Sequence, residues 1–194
     1  MEVLLRSDSV EISGYVNAVG RESRPLVDRR SGERFVEVIE PGAFRRSLER
    51  DEGRQMLLNH RADRVLAEEG AGLELSEDPV GLFARAVVSD SEVIGLAAEG
   101  KLVGWSFGFR PVSVDETRDE GGVAHRAVRD LVLSEVSVIS DGMTPCYEAT
   151  SVFTRAEGDD VCVRAMEAGG VKVHDLRPKG PDPAWEERIA ALRK

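Results

Sequence analysis

Short apolar runs, bounded by glycine, proline or acidic residues, recur along the first 154 residues of the chain. Runs of about four to eight residues that are rich in valine, isoleucine and phenylalanine are typical of β-strands. We therefore predict a mainly β (α+β) fold for residues 1–154, an antiparallel β-barrel with short flanking helices. The predicted strands cover residues 10–19, 34–39, 55–58, 72–75, 82–88, 101–112 and 123–139.

Two short helices are predicted to interrupt these strands. A Pro-Gly pair precedes the first helix, over residues 43–50. The second helix is predicted to begin at a capping box formed by Ser89 and Glu92 and to end before Gly100. Because both helices are short, we expect them at the edges of the β domain.

The composition changes after residue 154, where glycine, proline and charged residues replace the apolar runs. We predict a domain boundary there, followed by a flexible linker in residues 155–194 that ends in a short C-terminal helix over 183–194. This tail holds eight acidic and eight basic residues, so the net charge of −10 belongs to residues 1–154.

Charge and composition exclude several classes of function. An acidic chain with few aromatic residues has little attraction for nucleic acid, so no nucleic-acid partner is expected. No apolar stretch reaches the roughly 20 residues that span a membrane, and the N-terminus lacks the basic start of a secretory signal. The two cysteines and three histidines form neither a disulfide framework nor a zinc motif, and there is no phosphate-binding glycine loop. We expect no metal and no cofactor.

The segment 104–109 (GWSFGF) carries the first candidate for chemistry. Side chains alternate across a strand, so its three aromatic residues share one face, and Ser106 lies between two glycines on the other. The aromatic face is predicted to lie in the core, and the opposite face leaves room for a substrate backbone beside the hydroxyl. Small residues are also typical of close helix packing, and a serine becomes a nucleophile only beside a base.

His60 and Glu135 are the polar residues that would complete such a site. His60 ends the apolar run 56–58, and histidine exchanges protons near neutral pH, although surface residues at strand ends show the same pattern. Glu135 interrupts the stretch 131–139, which is apolar on both faces, and a buried carboxylate needs a cationic or hydrogen-bonding partner. That partner is either a histidine base or one of the many arginines.

Four segments carry a family resemblance in their order along the chain. They are 39–44 (IEPGAF) with the Ser-Leu pair at 47–48, 58–60 (LNH), 106–109 (SFGF) and 133–138 (LSEVSV). They resemble the prohead proteases of tailed bacteriophages, capsid maturation serine proteases whose fold is similar to that of herpesvirus assemblin. The likeness runs from about residue 14 to residue 153, with the serine 46 positions after the histidine and the acid 29 after the serine.

The resemblance implies a catalytic triad. Ser106 corresponds to the nucleophile of the family, His60 to its general base and Glu135 to its orienting acid. The herpesvirus relatives use a second histidine in the third position. The chain departs from the family's usual pattern at residues 140–147, which concerns the turn after the strand and none of the three triad positions.

By the same resemblance, the protein is a serine endopeptidase of phage or prophage origin with an assemblin-like fold. Its expected substrate is scaffolding protein, or the scaffold-like segment of the major capsid protein precursor, inside the immature prohead in the cytoplasm of the bacterial host. Self-cleavage is also expected, with residues 155–194 as a candidate site of trimming. A homodimer follows by analogy with the herpesvirus relatives.

A function of a different class stays open at this point. The same domain would also suit a catalytically silent module that binds capsid or scaffold protein. The two functions differ in whether His60, Ser106 and Glu135 converge to within about 3 Å of one another, the distance that a nucleophile and its base require.

Overall fold

Most of the described chain is β-structure, as predicted. The computed structural model describes residues 1–28, 31–50, 53–141, 162–165 and 170–178. The strands are β1 (Glu2–Leu5), β2 (Val10–Ala18), β3 (Leu26–Val27), β4 (Arg34–Ile39), β5 (Gln55–Leu58), β6 (Val65–Glu69), β7 (Gly72–Glu77), β8 (Gly81–Val88), β9 (Leu102–Arg118), β10 (Ala124–Ser140), β11 (Cys162–Ala165) and β12 (Lys172–Asp175). The helices are α1 (Ala43–Leu48) and α2 (Ser91–Ala98).

The seven predicted strands correspond to β2, β4, β5, β7, β8, β9 and β10. No sequence pattern predicted β1, β3, β6, β11 and β12, and the last two lie in the predicted tail. The domain boundary near residue 155 stays a prediction. The predicted helix over 183–194 lies outside the described residues.

The strands form a mixed sheet that is not closed, so the predicted antiparallel β-barrel is not confirmed. The hydrogen-bonded path runs β11-β9-β10-β5-β6-β7-β8-β2-β1-β12, with β4 on β10 and β3 on β4. Within the described residues, the two end strands pair with β9 and β1 and not with each other. Neighbours are mostly antiparallel, but β4 and β5 both run parallel to β10, β6 to β7, and β1 to β12.

The length of β10 explains why the sheet forks instead of closing. One edge of β10 pairs with β9 along almost its whole length. Its other edge pairs first with β4, over 124–128, and then with β5, over 135–138. One strand therefore has two successive neighbours on the same side, a geometry that a simple barrel of equal strands does not allow.

The helix α1 joins β4 to β5 and packs on the sheet close to β9. Phe44 of α1 meets the ring of Phe107 edge to face, with 5.4 Å between the ring centres. The N-terminus of α1 has no cap from its own first residue; instead, the Glu77 carboxylate accepts hydrogen bonds from the backbone N–H groups of Gly42 and Arg45, both at 2.5 Å. A carboxylate at this end also complements the helix dipole.

The helix α2 begins one residue later than the predicted capping box. Asp90, not Ser89, is the N-cap, and its carboxylate accepts from the N–H groups of Glu92 and Val93 at 3.0 and 3.1 Å. Aspartate is at least as good a cap as serine, so the adjacent carboxylate takes the position. The end of the helix is as predicted, because Gly100 adopts a φ of 68° that stops it.

The core lies on the aromatic face of β9, as the alternation predicted. Trp105, Phe107 and Phe109 are buried and pack with apolar residues of β2, β8 and β10. Among the described helices, none is long and apolar enough to cross a membrane.

Candidate active site

The candidate site lies where β5, β10 and β9 run side by side. In this register, Ser137 of β10 is flanked by Leu57 of β5 on one side and by Ser106 of β9 on the other. His60 follows the end of β5 by two residues, and Glu135 lies two residues before Ser137 on β10. Three neighbouring strands therefore deliver all three predicted site residues to one region of the sheet.

A tight turn after β5 directs His60 back over the sheet. Asn59 and His60 both have a φ of 57°, the left-handed conformation that non-glycine residues seldom adopt. The Asn59 amide group donates to Ser140 Oγ and accepts from the Ser140 N–H, both at 2.9 Å. The backbone N–H of Asn59 donates to Val138 O at 3.0 Å, and that of His60 to Ser137 Oγ at 3.2 Å. The turn is thus fastened to β10 at four points.

A β-bulge in β10 orients Glu135. Leu133 pairs with Phe109 and Glu135 with the next residue of β9, Gly108, so Ser134 is an extra residue. The extra residue shifts the alternation of side chains between the two faces of β10 by one position. Leu133 and Val136 consequently both lie in the core. Glu135 and Ser137 then share the face that carries the site.

The three side chains converge. His60 Nε2 lies 2.7 Å from Ser106 Oγ, and His60 Nδ1 lies 2.7 Å from Glu135 Oε1. Ser137 Oγ donates to the other carboxylate oxygen, Glu135 Oε2, at 2.5 Å. The His60 and Glu135 side chains are only 13% and 12% exposed, so the pair is largely shielded from water.

This arrangement can move a proton from the hydroxyl to the imidazole. When Nδ1 carries a proton and donates it to Glu135, the lone pair of Nε2 faces the Ser106 hydroxyl, which the 2.7 Å distance allows. The carboxylate fixes this tautomer and stabilises the imidazolium that proton transfer produces. The geometry is that of an acid, a base and a nucleophile in series.

Ser106 has a second polar contact, from β11. Its side chain is fully buried, and its Oγ donates to the carbonyl oxygen of Arg164 at 2.9 Å. A hydroxyl has one proton, so Ser106 donates a hydrogen bond either to Arg164 O or to His60 Nε2 at a given moment.

Sequence reasoning missed the residues that hold the site in place. Asn59 and Ser137 lie inside the motifs 58–60 and 133–138, yet their residue types alone gave no sign of their hydrogen bonds. Ser47 was also missed: its hydroxyl accepts from the N–H of Leu133 at 2.8 Å, next to the bulge.

The other histidines lie elsewhere. His125 contacts Glu22 and Asp119 at 3.2 and 3.5 Å, and His174 is on β12. The described part of the chain contains no group of three or more histidine, cysteine or acidic side chains that would hold a metal ion.

Comparison with known protein families gives a match over most of the sequence. A family model described as caudovirus prohead serine protease matches residues 2–161, a range that includes His60, Ser106 and Glu135. No curated protein matches the chain. Members of the matched family are serine endopeptidases that act in capsid maturation. Since the match covers most of the sequence, the chain belongs to the caudovirus prohead serine protease family.

Proposed function

We propose that Ser106 is the nucleophile, His60 the general base and Glu135 the orienting acid of this serine endopeptidase. The observation that carries the proposal is the pair of 2.7 Å distances from the two imidazole nitrogens to Ser106 Oγ and Glu135 Oε1. Both are within the hydrogen-bond reach that this chemistry requires.

In the first half of the reaction, Ser106 Oγ attacks the carbonyl carbon of the substrate while its proton passes to His60 Nε2. The tetrahedral intermediate then collapses: the bond between carbonyl carbon and nitrogen breaks, and the imidazolium gives its proton to the departing amine. The amino-terminal part of the substrate remains as an ester of Ser106.

In the second half, water hydrolyses this ester. His60 takes a proton from the water, and the hydroxide oxygen adds to the ester carbon. The bond from that carbon to Ser106 Oγ then breaks, His60 returns the proton to Oγ, and the product leaves as a carboxylic acid that ionises to the carboxylate. Glu135 stays ionised throughout. Its contribution is to hold Nδ1–H and to stabilise the imidazolium, and the hydrogen bond from Ser137 keeps the carboxylate oriented.

The alternative of a catalytically silent assembly module is disfavoured by the same contacts. A binding module has no need for a buried histidine between a carboxylate and a serine hydroxyl. Burial of these polar groups has a cost in stability that their hydrogen bonds to one another and to neighbouring groups offset, and such sites are typical of catalysis.

A prohead protease acts on capsid or scaffold proteins inside the procapsid. We infer that the specific substrate is scaffolding protein or the scaffold-like segment of the major capsid protein precursor, cleaved during head assembly in the host cytoplasm. Enclosure in the shell raises the effective concentration of enzyme and substrate, which suits a protease of modest intrinsic rate.

Co-expression of the chain with the capsid precursor and scaffold of the same phage tests this function. We expect shortened capsid or scaffold protein with the native chain and intact protein with Ser106→Ala or His60→Ala. Intact substrate with the native chain, in assembled proheads, would overturn the substrate assignment. Homodimer formation stays a prediction, which light scattering of the purified chain tests.

A further inference from the structure

The strand β11 covers the edge of β9 that carries Ser106. Its four residues pair antiparallel with β9, with Ala165 opposite Ser106 and Arg164 opposite Phe107. Among the described strands, β11 pairs with β9 alone. A short strand held by one neighbour is the arrangement in which an extended peptide adds to the edge of a sheet.

The backbone of β11 reaches the proposed nucleophile. The carbonyl oxygen of Arg164 accepts the hydrogen bond from Ser106 Oγ at 2.9 Å. This carbonyl belongs to the peptide bond between Arg164 and Ala165. The peptide bond that follows Arg164 thus has its carbonyl oxygen within hydrogen-bond distance of Ser106 Oγ.

The side chain of Arg164 lies in a pocket that matches a guanidinium group. Two of its nitrogens donate to the two carboxylate oxygens of Glu37, at 2.6 and 2.9 Å, and each residue is only 7% exposed. The guanidinium carbon lies 5.5 Å from the ring centre of Phe109 and 6.0 Å from that of Phe35. A two-pronged carboxylate contact between aromatic rings favours arginine over lysine.

A strand that served only to cover the sheet would not need this ion pair. Burial opposes the positive charge of Arg164, but Glu37, with a further contribution from Cys162, outweighs that effect, and the pKa of the guanidinium is raised. An apolar side chain would fill the same space without desolvating two charges. A buried carboxylate that binds the side chain of the residue whose carbonyl contacts Ser106 is, in contrast, an effective way to select a basic residue in a substrate.

We propose that the edge of β9 binds substrate as an antiparallel strand and that Glu37 selects an arginine immediately before the cleaved bond. In this structure β11 is the chain's own occupant of that position. The inference rests on the proposed function of Ser106. The bond broken is the one between the arginine carbonyl carbon and the next nitrogen; the Ser106 proton passes through His60 to the leaving amine, and water later releases the arginine carboxylate.

The test uses the full chain with Arg164→Ala, which empties the pocket and leaves Glu37 in place. Peptides with the sequence of residues 160–169 carry arginine, lysine or glutamine at the position of Arg164, and mass spectrometry records the cleaved bond and kcat/KM. We expect cleavage after arginine, with kcat/KM about 30-fold or more above that of the glutamine peptide. Adding Glu37→Gln is expected to remove most of this preference, mainly through KM.

Two parallel measurements separate the possible outcomes. Thermal unfolding verifies that each variant is folded, and labelling by a serine-directed phosphonate reports a reactive Ser106 independently of the pocket. A labelled enzyme that cleaves the arginine and glutamine peptides equally, or that keeps its preference with Glu37→Gln, overturns the arginine pocket and leaves the proposed function intact. Folded variants that show neither labelling nor cleavage overturn both.

Discussion

The backbone of His60 shows how single residues set up the site. A φ of 57° is uncommon for histidine and is of the kind that costs about 1–3 kcal/mol when surrounding structure enforces it. The hydrogen bonds from Asn59 and from the His60 N–H to β10 supply that enforcement. As a result, the two imidazole nitrogens of His60 contact Ser106 and Glu135 at the same time.

The charge of Glu135 is expected to matter more than its shape. Glu135→Gln keeps the size of the side chain but removes the charge that stabilises the imidazolium, so kcat/KM for peptide cleavage is expected to fall by about 10²–10⁴-fold, mainly through kcat. Glu74→Gln is the matched control, because the Glu74 side chain is 73% exposed and lies on β7, away from the site. Activity of Glu135→Gln within twofold of the native chain would contradict the assigned role.

At the level of secondary structure, the bulge in β10 decides which residues face the site. Without the extra residue at Ser134, Glu135 would share a face with the buried Leu133. The N–H of Leu133 next to this bulge donates to the buried hydroxyl of Ser47 in α1. The helix that precedes β5 thus also fixes the strand that carries the acid.

Removing that hydroxyl is expected to destabilise the fold. Ser47→Ala leaves the Leu133 N–H without its acceptor, and the free energy of unfolding should fall by about 1–3 kcal/mol, slightly offset by the better helix propensity of alanine. Urea unfolding measures the change. Ser134→Ala is the control, since no side-chain hydrogen bond of Ser134 occurs within the described residues, and an equal loss in both variants would contradict the account.

The start of β8 tolerates no side chain at Gly81. Gly81 has a φ of 156°, and a Cβ there would lie 1.9 Å from the carbonyl oxygen of Asn17 on β2. Gly81→Ala is therefore expected to lower the free energy of unfolding by about 3 kcal/mol or more, as measured by urea unfolding. Gly95→Ala in α2 meets nothing within 4 Å and should instead be neutral or stabilising, by up to about 1 kcal/mol. Equal effects of the two changes would show that the packing at Gly81 is misread.

The part of the fold that follows local patterns could be predicted from the sequence. The alternation in 104–109 placed the aromatic residues in the core and Ser106 on the other face, and both α1 and α2 were expected. That the sheet stays open could not be predicted, because the pairing of β4 and β5 with one edge of β10 joins residues far apart in the sequence. The bulge at Ser134 was not predicted either, because no glycine or other local pattern marks it. The apolar residues at odd and even positions of β10 were interpreted only as burial of both faces of the strand.

Among the site residues too, some could be predicted from local sequence patterns and others could not. Residue types, their order and their spacing were sufficient to single out His60, Ser106 and Glu135. The supporting contacts of Asn59 and Ser137 depend on how β5 and β10 align, which the sequence does not specify locally. The contact of Ser106 with Arg164 joins residues 58 positions apart, and no local pattern indicated it.

For the molecule as a whole, the residues after 161 supply both end strands of the sheet path, β11 and β12. β11 adds to β9 beside Ser106, and β12 runs parallel to β1. The chain therefore presents its own peptide bond after Arg164 to the proposed nucleophile, which connects the expected self-cleavage to one specific bond.

Incubation of the purified full chain tests that connection. We expect intact-mass analysis to show products 1–164 and 165–194, formed by the native chain and absent with Ser106→Ala or Arg164→Gln. Arg177→Gln is the control for charge in the tail, because Arg177 is exposed and pairs with Asp175. A native chain that cleaves its capsid substrate but never the bond after Arg164 would contradict self-cleavage at this position.

The central claim is that Ser106 is a nucleophile activated by His60, and covalent labelling with a serine-directed phosphonate tests it most directly. The account predicts a single adduct that peptide mapping places on Ser106, no adduct with Ser106→Ala, and labelling slower by about 10²-fold or more with His60→Ala. An adduct on another residue, or a His60→Ala variant that is labelled as fast as the native chain, would contradict the claim.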